Sequence, residues 1–129
     1  MQQSNDLQPL LQWAQAIVPI PLSAPRMRER GYNPAAQLCQ QLAHRHLPAH
    51  LHALVRQQHT PSQRGLNRAQ RLRNLQGAFA MHSNHRLAGQ RVLLVDDVMT
   101  TGATLTSAAA CLLSAGAASV QVLCVARTP

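Results

Sequence analysis

Lysine is absent from this 129-residue sequence, acidic residues number only four, and aromatic residues only three. Each shortage excludes something. With Trp13, Tyr32 and Phe79 as its only aromatic rings, the chain has to build its core from aliphatic side chains. A single nucleic-acid strand would also find few surfaces on which to stack its bases. No apolar run approaches the roughly 18 residues of a membrane-spanning helix. The opening residues, MQQSNDLQPLLQW, have neither the basic nor the apolar region of a secretory signal. A soluble cytoplasmic protein is the expectation. The cysteines, Cys39, Cys111 and Cys124, are odd in number, widely spaced and set in apolar surroundings such as AACLL and VLCVA. They read as buried, reduced thiols ahead of disulfide partners or metal ligands.

What is plentiful is arginine, which supplies all twelve basic residues and a formal net charge of +8. A GC-rich coding sequence would favour arginine over lysine on its own. Distribution is more telling than the total, because seven arginines fall in two clusters: Arg26, Arg28, Arg30 and Arg64, Arg68, Arg71, Arg73. Guanidinium forks suit phosphate oxygens bidentately, so the clusters fit an anion site; solvated basic loops are the plainer alternative. His44, His46, His50, His52 and His59 lie close in sequence, but they cross a helix end, a loop and a strand, so convergence on one metal ion is not expected.

The length suits one domain spanning residues 1–129, with a core of useful size. Apolar positions at Leu7, Leu10, Leu11, Ala14 and Ile17 make a helical stripe, so residues 1–16 are expected as an N-terminal helix and residues 17–129 as the core. IVPIPLS reads as a strand running into a loop, APRMRERGYN. PAAQLCQQLAHRHL, residues 34–47, reads as a helix opened by Pro34. LHALVR and LQGAFAM are plausible strands, and the polar segment between them is an expected mobile loop. RVLLV is a strand buried on both faces, GATLTSAAACLLSAGA a helix ending at Gly116, and VQVLCVA a last strand. This order argues for an α/β domain with a largely parallel central sheet flanked by helices.

Two of the four acids, Asp96 and Asp97, stand side by side at the end of RVLLV. In an open parallel sheet ligands bind beyond the carboxyl ends of the strands. Neighbouring residues of a strand point to opposite faces, so the two carboxylates can meet different groups. Each ionised carboxylate only accepts hydrogen bonds, which suits the two donors of a vicinal diol or a cation. The following TTGAT offers the opposite: hydroxyls and the N–H groups of a helix start, with Gly102 allowing close approach. Together they match the two ends of a ribose 5-phosphate. Ordinary helix-entry acids would account for one carboxylate and leave the rest unexplained.

The stretch VLLVDDVMTTGAT, residues 92–104, resembles the phosphoribosyl-pyrophosphate-binding motif of type I phosphoribosyltransferases. VPIPLSAPRMRERGYN and TPSQRGLNRAQRLRNLQGAFA are similar to the ComF family, competence-associated phosphoribosyltransferase-like proteins. The resemblance runs from about Ile17 to Thr128. It implies a type I phosphoribosyltransferase-like fold and an enzyme that transfers ribose 5-phosphate from phosphoribosyl pyrophosphate (PRPP) to an acceptor, releasing pyrophosphate. It implies that Asp96 and Asp97 accept from the ribose hydroxyls, Asp97 being the better catalytic candidate. Thr100, Thr101, Gly102, Ala103 and Thr104 would wrap the 5′-phosphate. The loop at residues 22–30, with Ser23, Arg26, Arg28 and Arg30, would hold pyrophosphate, and Arg64, Arg68, Arg71 and Arg73 would lie on a flexible loop closing over it. Magnesium would be carried mainly by the ligand.

The resemblance also keeps open a non-catalytic alternative: a PRPP-binding or single-stranded-DNA-binding accessory of DNA uptake, acting as a homodimer or with a competence-machinery partner. Two departures stand out. Such proteins commonly carry an N-terminal cysteine-rich zinc module, which this sequence begins without, and Pro34 stands where the family usually shows glutamine.

Overall fold

The apolar run that ends in the two aspartates is the middle strand of a parallel sheet. The computed structural model describes residues 2–56, 79–82, 87–97 and 102–125. In chain order these form α1 (Gln2–Trp13), β1 (Ala16–Pro19), α2 (Ala24–Arg30), α3 (Pro34–Leu42), β2 (Leu54–Arg56), β3 (Phe79–Met81), β4 (Arg91–Asp97), α4 (Gly102–Ser114) and β5 (Ser119–Val125). The sheet runs β1-β4-β5. β1 pairs parallel to β4 with Val18 opposite Leu94, and β4 pairs parallel to β5 with Leu94 opposite Val122. A parallel bridge from Ile17 to Ala49 extends the sheet beyond β1. β2 and β3 form a separate antiparallel pair, with Val55 opposite Ala80.

β4 is covered on both faces, and its alternation sorts the core into two halves. Val92 and Leu94 pack with Ala108 and Leu112 of α4 and with Leu54 and Phe79 of the β2–β3 pair. Leu93 and Val95 pack on the other side with Ala35 and Cys39 of α3, Leu47, and the partly buried Leu10 and Trp13 of α1. The start of β4 is tied down by Arg91, whose Nε donates to the Trp13 carbonyl at 2.6 Å and whose backbone N donates to Gln15 Oε1 at 2.9 Å.

Several expectations shift. The helical stripe does not reach Ile17: α1 ends at Trp13, and Ile17 is a fully buried residue of β1. The helix opened by Pro34 stops at Leu42 instead of running to residue 47. Pro48 disfavours helical backbone at the preceding residue, and Leu47 turns inward to bury itself against β4. APRMRERGYN is not all loop, because its first seven residues are α2. Pro25 sits in the first turn and Gly31, at φ +80°, closes the helix with its N–H on the Met27 carbonyl at 2.8 Å. Those are ordinary start and stop signals, hidden in the sequence by the basic residues between them. α4 ends at Ser114, and Gly116 turns the chain at φ +105°, where an added Cβ would come within 3.3 Å of the Ala88 Cβ.

The cysteines divide. Cys39 is buried, Cys111 intermediate and Cys124 exposed, and all three are free thiols. Among the described residues β5 borders β4 alone in the sheet order, so an apolar run there is covered less completely than the same run in β4, and Cys124 stays exposed. Among the described residues, no helix is long and apolar enough to cross a membrane.

Candidate functional site

The carboxyl end of β4 is where the chain collects charge. Asp96 and Asp97 are the last two residues of the strand, still in register with Cys124 and Val125 of β5, and so stand within the sheet edge, not beyond it. Asp96 is buried, with 2% of its surface exposed. It shares the face of Leu94 and so continues the side of β4 that looks toward α4 and the β2–β3 pair. Asp97 closes the strand; its side chain lies outside the described residues, as do Thr100 and Thr101. Gly102 and Ala103 open α4, and Thr104 is half-buried in its first turn.

The neighbouring strand end is braced against this one. Ile20, just past β1, donates its N–H to the Val95 carbonyl at 2.8 Å. Asn33 holds the same segment from the other side: Nδ2 donates to the Ile20 carbonyl at 3.0 Å, while Oδ1 accepts the Ala35 N–H at 3.0 Å and caps α3. Ser23 is the residue before α2 but makes no side-chain cap bond. Arg28 is exposed, and Arg26 and Arg30 are half-buried on α2. Arg28 and Arg30 occupy its last turn, where the helix dipole favours cations. Arg64, Arg68, Arg71 and Arg73 lie outside the described residues.

One residue of the site escaped the sequence analysis. Arg56, at the end of β2, donates from Nε to the Pro21 carbonyl at 2.7 Å, and its guanidinium lies 5.0 Å from the centre of the Phe79 ring. Burial is the main influence lowering its pKa from the ordinary arginine value, the Asp96 carboxylate opposes it, and Arg26 adds to the lowering. Arg56 therefore stands in the field of both Asp96 and Arg26. In sequence it is a lone arginine closing a short apolar strand, outside both clusters, and only the pairing of β2 with β3 sets it over Phe79.

The Asp96 charge can be read through Cys124, its partner in the β4–β5 register. Partial burial of the sulfur and, second, the Asp96 carboxylate push the Cys124 thiol above its ordinary 9.0. A nearby anion disfavours the thiolate, so Asp96→Asn should lower that pKa and speed alkylation of Cys124 at pH 8. Cys39 is an internal control: burial pushes it up to about 12, so it should react only once the chain unfolds. Its raised value also means that its contribution to stability is complete below pH 9.0 and is lost as pH rises toward about 12. Mass-resolved labelling rates across pH check both; an unchanged Cys124 rate in the variant would show that Asp96 is not ionised beside it.

The family profile of the phosphoribosyl transferase domain matches residues 28–129. Competence protein F of Haemophilus influenzae is 40% identical over 119 residues, which are 91% of this chain and 52% of that protein. DNA utilization protein YhgH of Escherichia coli is 40% identical over 119 residues, 92% of this chain and 52% of its own length. Competence protein ComFC of Bacillus subtilis is 40% identical over 113 residues, 87% of this chain and 44% of its own. The chain spans about half the length of the curated relatives it matches. No solved structure matches it.

Proposed function

This chain belongs to the phosphoribosyl transferase domain family, alongside ComF-type competence and DNA-utilization proteins, and from that membership we propose that it binds PRPP with magnesium and transfers the ribose 5-phosphate to an acceptor. The observation that carries the proposal is the placement of Asp96, one of only four acids in the chain, buried at the end of the central strand. Open α/β sheets bind their ligands beyond the carboxyl ends of the strands, and a carboxylate held there suits the hydroxyl donors of a ribose diol.

In this proposal Asp96 and Asp97 accept from the 2′ and 3′ hydroxyls. The opening N–H groups of α4, with the hydroxyls of Thr100, Thr101 and Thr104 and the small Gly102 and Ala103, take the 5′-phosphate. Ser23, Arg26, Arg28 and Arg30 serve the pyrophosphate, and Arg64, Arg68, Arg71 and Arg73 exclude water from it. As a bond forms between C1 and the acceptor nitrogen, the bond from C1 to the pyrophosphate oxygen breaks. The electron pair leaves with pyrophosphate, which also receives the proton of the attacking nitrogen. Asp97 stabilises the positive charge that develops on the ring. Magnesium would be carried mainly by the oxygens of PRPP, with the hard carboxylate oxygens of Asp96 suited to stand beside it, and it would supply charge neutralisation on the leaving group.

The net charge of +8, together with relatives named for competence and DNA utilization, favours a second possibility, an accessory protein that binds PRPP or single-stranded DNA without turnover. Calorimetric titration of the native chain with PRPP and magnesium, followed by a screen for pyrophosphate release, separates the cases. The first proposal expects saturable one-site binding, and a folded chain that takes up no PRPP refutes it. DNA affinity that falls steeply with salt and survives Asp96→Asn with Asp97→Asn would support the second.

A further inference from the structure

One boundary of the sheet stands open. Among the described residues β5 pairs with β4 alone, so its outer side presents a row of backbone N–H and C=O groups without a ladder partner there. The opposite boundary is different, because the Ile17–Ala49 bridge continues the sheet past β1. An open strand edge is a template for pairing with another strand, and proteins ordinarily protect it with charge, proline, a bulge or brevity. β5 uses none of these. SVQVLCV carries no charged residue and no proline over its seven residues, and its register with β4 is unbroken from Ser119 to Val125.

The side chains beside this edge are apolar and open to solvent. Val122 is 38% exposed on β5, and Leu113, 48% exposed, belongs to α4, the helix packed against β5. Cys124 is exposed further along the strand. Charge is missing over the same region. From Val98 to Ala126 the sequence holds no Asp, Glu, Arg, Lys or His, while the whole chain carries +8.

That distribution selects what the edge can take. A nucleic-acid strand finds no cation along it. An acidic protein would be drawn to the arginine-bearing surfaces instead. A second copy of the chain is repelled by those surfaces and meets no like charge at β5.

The strand is also complementary to itself. Two copies of β5 turned about a two-fold axis overlap along their whole length when Val122 lies on the axis. Val122 then faces Val122, Gln121 faces Leu123 and Val120 faces Cys124. Apolar and β-branched cross-strand pairs of this kind stabilise antiparallel ladders.

We infer that β5 pairs antiparallel with β5 of a second copy, joining the two sheets in the order β1-β4-β5-β5-β4-β1. The α4 helices lie on one face of the joined sheet, and the two Asp96 carboxylates lie toward its opposite ends. The pairing does not depend on PRPP binding.

Sedimentation velocity and light scattering on the whole chain, across micromolar concentrations, should show a monomer–dimer equilibrium with no larger species. Added salt should tighten it, since it screens the repulsion between copies and no ion pair crosses the edge. Val122→Arg sets two guanidinium groups against each other on the axis and should weaken the dimer by roughly tenfold or more. Val122→Thr, also β-branched, should keep it. Val120→Cys provides the register test, because directly opposite Cβ atoms stand about 4.5–5.5 Å apart. Mild oxidation should join the new thiol to Cys124 of the other copy and give a covalent dimer. Gln121→Cys, which points to the other face of the sheet, should not form that bridge. Bridges mapped by peptide mass spectrometry decide the matter if Val122→Arg does not fold. A chain that stays monomeric, a dimer indifferent to Val122→Arg, or an absent bridge in Val120→Cys overturns the pairing. A dimer that salt disperses also overturns it, by placing arginines at the contact.

Discussion

Replacing Asp96 and Asp97 together by asparagine is expected to weaken PRPP binding by at least about a hundredfold. A hydrogen bond to an ionised group contributes roughly 1.5–3 kcal/mol, and about 1.4 kcal/mol is a factor of ten in affinity. Losing two such acceptors therefore removes roughly two to four decades if each carboxylate holds one hydroxyl. Asparagine keeps the shape and one carbonyl acceptor but presents an N–H₂ where a hydroxyl hydrogen would arrive, so the loss should not be softened by a substitute bond. The same titration done with inorganic pyrophosphate and magnesium isolates the diol: its affinity should change far less, because it has no ribose. Equal losses for both ligands would instead mean that the acids act through the metal or through Arg56, which stands in the field of Asp96. Urea unfolding of the variant checks that the sheet edge survives.

The candidate site could be drawn from the sequence because the residues that compose it are adjacent. An apolar run, two acids and a glycine-bearing turn occur within residues 92–104. Strand alternation and the preference of helix starts for anions are local rules, so they need no knowledge of distant partners. The central strand, α4 and the last strand were legible for the same reason. What the sequence concealed depended on pairing between distant segments. Arg56 and Phe79 lie 23 positions apart, and nothing in LHALVR or LQGAFAM announces that they meet as β2 and β3. Cys124 looks buried in VLCVA because the string cannot reveal which strand lies in the middle of the sheet.

α2 was concealed for a different reason. A helix of seven residues with none buried has no apolar face to produce a periodic signal, so only its proline and glycine boundaries mark it. Its consequence for the site is physical. A helix fixes the spacing of Arg26 and Arg30, which a loop would leave variable, and Asn33 anchors the following turn to the end of β1. Basic side chains are thereby carried on a segment braced against the ends of β1 and β4. Positioning of this kind matters more for a dense anion than the number of arginines alone.

Leu94→Ala should lower the free energy of unfolding by about 2–5 kcal/mol, the range for deleting a buried leucine side chain, out of a total of roughly 5–15 kcal/mol for a domain. The upper half of that range is expected here because the site cannot collapse. Leu94 is fully buried and lies between Val18 of β1 and Val122 of β5 in the sheet register. Backbone ladders on both sides therefore prevent β4 from moving toward α4 to fill the hole. On that face its neighbours include Leu112 and Phe79, and each would lose packing partners that the rigid sheet cannot replace. Leu113→Ala, one position along α4 and 48% exposed, is the matched control and should change stability by no more than about 0.5 kcal/mol. Urea midpoints should separate the two variants with little change in m-value. PRPP affinity, measured on the folded fraction of Leu94→Ala, should stay close to native, since Asp96 is held by the same ladders. A cost below about 1 kcal/mol for Leu94→Ala would mean that the sheet edge can relax into the cavity. In that case Asp96 could not be positioned by strand pairing alone, and the connection through Ile20, Pro21 and Arg56 would have to hold it.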